Sequence, residues 1–140
     1  MRKKFFVFVI SVLILMFSSS AFASCNLDTT RWKWVGSNSE VGLFYDTTTL
    51  RVLNNKLIEV WVCYYYPNHC KKHFYEHYHY CLTRIDYSVF LHGLKHMIVI
   101  DSNGNSIGNP IFGSDIVFMP MPPGSAIEGV ASTIKRDYGL

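Results

Sequence analysis

The 140-residue chain contains no HExxH motif, no glycine-rich phosphate loop, no βαβ alternation and no internal repeat. The first two absences remove the familiar zinc-hydrolase and nucleotide-binding signatures. The third removes a parallel sheet with crossover helices, and the fourth a solenoid or propeller. Carboxylates are few and scattered. Asp46, Glu59, Glu76 and Asp86 form no evident acid–base pair, and nothing marks a cysteine–histidine triad. The chain is therefore expected to be neither an enzyme nor a cofactor carrier.

Charge of one sign is also lacking once the ends are considered. The formal net charge is +3, from 13 basic and 10 acidic residues. Arg2, Lys3 and Lys4 belong to a basic start that leads into an apolar run from Phe5 to Phe17, followed by SSSAFAS. Ala21-Phe22-Ala23 has the small-x-small form that signal peptidase needs, and the apolar run is shorter than the roughly 20 residues a bilayer core requires. Residues 1–23 are read as a secretory signal peptide and 24–140 as a single domain. Removing the leader takes away three cations and no acid, which leaves a neutral chain. That balance gives no support for a nucleic-acid partner. Phe22-Ala23-Ser24-Cys25 also loosely resembles a lipobox, so a lipid anchor at Cys25 stands beside simple cleavage after Ala23.

What is present is strand patterning. Arg31 to Val35 alternates and puts Trp32 and Trp34 on one face; Val41 to Tyr45 and Leu50 to Leu53 follow, separated by Asp46-Thr47-Thr48-Thr49. Leu57 to Tyr66 reads as a longer strand with Ile58, Val60, Val62, Tyr64 and Tyr66 on its core face. A polar connection, 67–76, joins it to a return strand from about His77 to Asp86. Leu91 to Ile100 is another strand, although Tyr87 to Gly93 is also compatible with a helical turn. Ser102-Asn103-Gly104-Asn105 is a tight-turn signal, and Ser106 to Phe112 and Ile116 to Met119 are short strands. Ser125 and Glu128 form a capping box for a helix whose apolar stripe is Ile127, Val130, Ala131 and Ile134, with Gly139 as its stop. The expected class is α+β: an antiparallel sheet of five or six strands with one C-terminal helix packed on it.

The stretch from Leu57 to Tyr87 holds three of the four cysteines and a crowd of histidines and tyrosines. In an exported chain Cys25, Cys63, Cys70 and Cys81 are disulfide candidates. A turn centred near Lys71-Lys72 would set Cys63 against Cys81 and leave Cys25 for Cys70; the other pairing joins Cys63 to Cys70 and Cys25 to Cys81. Either bridge would contribute about 2–4 kcal/mol. His69, His73, His77 and His79 lie in the same hairpin. They read either as exposed side chains or as a weak zinc or copper site in which His77 and His79, on one strand face, are the metal candidates. His92 and His96 have a spacing that also suits a metal if their segment is helical. Tyr75, Tyr78 and Tyr80 fall on the outer face and are the candidates for binding a partner. A cross-strand aromatic ladder, or an edge hidden in a homodimer, accounts for them equally well.

The order of landmarks resembles the surface-adhesin protein E family of secreted bacterial proteins. The residues that carry the likeness are Trp34, Phe44-Tyr45-Asp46 followed by Thr47 to Leu50, Val60-Trp61-Val62, Tyr78 to Tyr87, and Pro123-Gly124-Ser125 opening the last helix. It spans Trp32 to Ile134. The resemblance implies a compact antiparallel sheet with a C-terminal helix, carried by an exported, surface-exposed protein that binds host extracellular-matrix or plasma proteins. The cysteines and the region between Cys63 and Cys81 depart from the family pattern, and the adhesins' binding segments do not map onto them. The expected function is thus an exported protein-binding module, with an exported metal-binding protein using the His69–His79 cluster as the alternative.

Overall fold

The computed structural model describes residues 27–38, 41–67 and 77–140. The chain is α+β, as expected. Its antiparallel sheet has eight strands among the described residues: β1 (Trp32–Ser37), β2 (Gly42–Asp46), β3 (Arg51–Asn54), β4 (Leu57–Tyr66), β5 (His77–Asp86), β6 (Leu91–Asp101), β7 (Ile111–Phe112) and β8 (Phe118–Pro120). A single helix, α1 (Ala126–Tyr138), follows.

The strands form a meander. β1 pairs with β2, β2 with β4, β4 with β5, and β5 with β6. β2 and β3 both pair with β4, through Phe44↔Cys63 and Val52↔Ile58, so they lie end to end along one edge of it. β7 and β8 share the outer edge of β6 in the same way. This explains why the sheet is only six strands wide while the count is eight. Of the two readings around Tyr87 to Gly93, the strand from Leu91 is the one formed: Tyr87 to Phe90 make a turn and β6 starts at Leu91. Gly93 has no room for a side chain because the segment leading into β8 presses on it. A β-carbon there would collide with the Ile116 side chain and sit 3.2 Å from the Val117 carbonyl oxygen.

β4 runs opposite β5 over its whole length, from Leu57↔Asp86 to Tyr66↔His77. Alternation then sorts its residues into two sets. Ile58, Val60 and Val62 are fully buried and face the helix, together with Leu43, Tyr45 and Ile85. The helix contributes Ile127, Val130, Ala131 and Ile134 to that core, which is the stripe its sequence displays. Three polar contacts tie it to the sheet. Tyr45 donates to the Asp137 carboxylate at 2.9 Å, beside the Lys33–Asp137 ion pair at 2.8 Å, and Tyr87 donates to the Ala131 carbonyl at 2.8 Å.

The helix ends are closed by their own sequence. The Glu128 N–H donates to Ser125 Oγ at 3.3 Å, while the Glu128 carboxylate reaches back one residue past the cap and accepts from the Gly124 N–H at 2.6 Å. Gly139 takes the left-handed conformation at φ 69° and donates to the Lys135 carbonyl. Replacing Ile134, which has no exposed surface, by alanine is expected to lower unfolding free energy by about 2–5 kcal/mol. Ser125→Ala is expected to lower it by about 1 kcal/mol. Urea titration followed by circular dichroism measures both, and a loss under about 0.5 kcal/mol for Ile134→Ala would contradict this packing.

Candidate functional site on the far face of the sheet

The second set of β4 residues, Leu57, Glu59, Trp61, Cys63 and Tyr65, points away from the helix. Trp32 and Trp34 of β1 join them, since they pair with Asp46 and Phe44. Trp32, Phe44, Cys63, Tyr65 and Tyr78 form a second buried cluster, with Trp61 and Tyr80 half-buried at its side. The rings follow one another closely: Tyr65 stacks on Tyr78 at 5.0 Å, Tyr78 on Tyr80 at 6.2 Å, and Trp32 tilts against Tyr80 at 5.4 Å. The sheet therefore has an apolar layer on both sides, and the helix covers one of them.

Two hollows open on this far face. One, of about 320 Å³, is lined by Arg31, Trp32, Trp61, Tyr80, Ile98 and Ile100. The other, of about 310 Å³, is lined by Thr48, Thr49, Arg51, Glu59, Trp61, Leu82 and Lys95. Trp61 borders both.

A buried carboxylate is paired with more exposed cations at each hollow: Glu59 lines the second, and Asp46 holds the Arg31 that lines the first. Asp46 accepts from Arg31 Nε at 2.8 Å and Nη2 at 2.6 Å, and its other oxygen accepts from the Thr48 N–H and hydroxyl at 2.9 and 2.7 Å. Glu59 accepts from Arg84 Nε at 2.8 Å and Lys95 Nζ at 3.4 Å. Lys95 reaches it because a bulge in β6 adds one residue between the partners of Leu82 and Thr83. Burial alone would raise both carboxyl pKa values. The hydrogen bonds from Arg31 and Thr48 in one case, and from Arg84 and Lys95 in the other, outweigh it and hold both below their ordinary values.

The histidines and cysteines are arranged differently from expectation. His77 and His79 do share a face, with ring centroids 5.0 Å apart, but it is the helix side, where His77 stacks on Tyr66 at 4.8 Å. His77 is buried, not an exposed side chain, and His79 is half-buried. His92 and His96 lie on a strand, and the bulge sends them to opposite faces, against Ile85 and Leu82. Among the described residues no group of three histidine, cysteine or acidic side chains could hold a metal ion. His69, His73, Cys25, Cys70 and Tyr75 lie outside the described residues.

The bridge between Cys63 and Cys81 is corrected by the register. Val62, not Cys63, stands opposite Cys81, and Cys63 stands opposite Tyr80. A shift of one residue reverses the face, so the two thiols point to opposite sides of the sheet. Cys81 is buried on the helix side, where burial pushes its thiol up to about 11. It lines a separate hollow of about 270 Å³ with Tyr64, His79 and His92, and burial lowers the pKa of that last imidazole. Of the tyrosines expected from the sequence to bind a partner, Tyr80 lines the first hollow, whereas Tyr78 lies on the same face but is buried beneath the surface.

No family model, curated protein or solved structure matches this chain.

Sequence reasoning missed Arg31, Trp61, Arg51 and Lys95 as site residues. The alternation in Leu57 to Tyr66 did place Trp61 on the outer face, but the cations come from three other strands or loops.

Two outcomes follow from this geometry. The depressed carboxyl groups contribute stability above their ordinary values of 3.8 and 4.5, and that contribution is lost as pH falls through the lower folded values. Urea midpoints should therefore hold steady down to about pH 5 and fall in more acid solution, with a shallower fall in Asp46→Asn and Glu59→Gln. Non-reducing peptide mapping should recover no Cys63–Cys81 crosslink; finding one would require a different β4–β5 register.

Proposed function

We propose that this chain is an exported, non-enzymatic binding module that engages a protein partner through the far face of its sheet. The observation that carries this reading is the hollow formed by Trp32, Trp61, Tyr80, Ile98 and Ile100, an aromatic-rich depression bordered by a guanidinium. Aromatic and arginine side chains at a partly desolvated depression are the usual anchors of protein recognition. The resemblance to the protein E adhesins supplies the partner class, host extracellular-matrix or plasma proteins.

The experiment is surface binding of the secreted protein to immobilised matrix and plasma proteins. Trp61→Ala is expected to weaken binding about 30-fold, as loss of a central anchor does, while leaving the circular dichroism spectrum unchanged. Full binding by a folded Trp61→Ala protein would remove the far face as the site.

One observation favours a second reading, an exported zinc- or copper-binding protein: His77 and His79 stand on the same face with their rings 5.0 Å apart. Calorimetric titration decides it. Absence of heat at micromolar zinc and copper sinks this reading, and heat lost in His77→Ala and His79→Ala supports it.

A further inference from the structure

We infer that the segment bound on the far face is acidic: a short extended stretch of a partner protein that places an apolar side chain in one hollow and carboxylates over the other. This rests on the reading of the far face as a protein-binding surface and adds the chemistry of what it recognises.

The charges on this face are layered. Asp46 has no exposed side-chain surface and Glu59 only 9 %, whereas their partners Arg31, Arg84 and Lys95 are 47, 31 and 29 % exposed. Arg51, on the fully exposed β3, lines the same hollow as Lys95. An incoming ligand therefore meets guanidinium and ammonium groups first, with the compensating carboxylates beneath them. Asp28 also acts on Arg31, but its carboxylate is held by Thr30. The pattern is local, because the chain without its basic leader is neutral. Such a surface steers and holds negative charge.

The ring of Trp61 joins this cationic hollow to the apolar one. Ile98 and Ile100 in the apolar hollow offer no side-chain hydrogen bonds to sugar hydroxyls. With Trp32 and Trp61 they line the slot with apolar surface that suits an aliphatic or aromatic side chain. The edges of β4 and β5 are already paired, so the segment lies across the face and does not extend the sheet there.

The test follows tryptophan fluorescence of the secreted protein with three probes. They are a peptide of aspartates and glutamates around one phenylalanine, the same peptide with asparagine and glutamine, and a heparin oligosaccharide. The acidic peptide is expected to bind at least about tenfold tighter than its neutral counterpart at low salt, and to lose most of that advantage by ~0.5 M salt. Arg51→Gln and Lys95→Gln should each weaken it about threefold to fivefold, with circular dichroism confirming the fold. Equal binding of the two peptides overturns the inference. So does heparin binding without peptide binding. If neither peptide binds while matrix binding still depends on Trp61, the acidic specificity falls and the binding module stands. If the acidic peptide binds as expected but no matrix or plasma protein does, the specificity stands and the adhesin reading falls.

Discussion

The hydrogen-bonded register between β4 and β5 sends Ile58, Val60 and Val62 to the helix and Glu59, Trp61 and Cys63 to the opposite side. Both consequences are needed. The first set makes a core with the stripe of α1, which on its own could not bury Val130 or Ile134. The second set forms an aromatic layer that the helix never touches. A slip of one residue would exchange the two sets, placing a carboxylate under the helix and valines on the far side. The cost of that exchange is what makes the register firm.

The far face combines two physical features, an aromatic layer and buried, paired carboxylates. Its tyrosines stack from Tyr65 to Tyr80, and Trp61 packs against the same cluster, without the help of the helix. Its carboxylates, Asp46 and Glu59, are buried and must be paired, and each pairing draws cations over it. Asp46 does further work. By accepting from Thr48 it ends β2 and turns the chain out before β3 resumes along β4. The same carboxylate thus separates β2 from β3 and orients Arg31 at the mouth of the apolar hollow.

Much of this was legible in the chain. The α+β class, the helix from its capping box to Gly139, the faces of β4 and the two tryptophans of β1 all follow from patterns contained within a few residues. The site was less legible. Lys95 enters it through a bulge, which leaves no signature in the alternation of LKHMIVI. Arg31 enters through a buried partner fifteen positions away, Asp46, whose burial depends on β1 pairing with β2. Of the two cysteine pairings the sequence left open, the one with a Cys63–Cys81 bridge failed by one position, because the centre of a long connection cannot be located to a single residue from its composition.

Local sequence determined which segments are strands, where the helix begins and ends, and which side chains share a face. These depend on backbone periodicity, hydrogen-bonding caps and the conformational freedom of glycine, all of which act over a few residues. The tertiary structure alone decided which faces meet. It set Val62 opposite Cys81, placed His77 against Tyr66 on the helix side, and gathered Arg31, Arg51, Arg84 and Lys95 around two buried carboxylates. Those outcomes turn on the register between distant strands, where a single residue reverses the face a side chain presents.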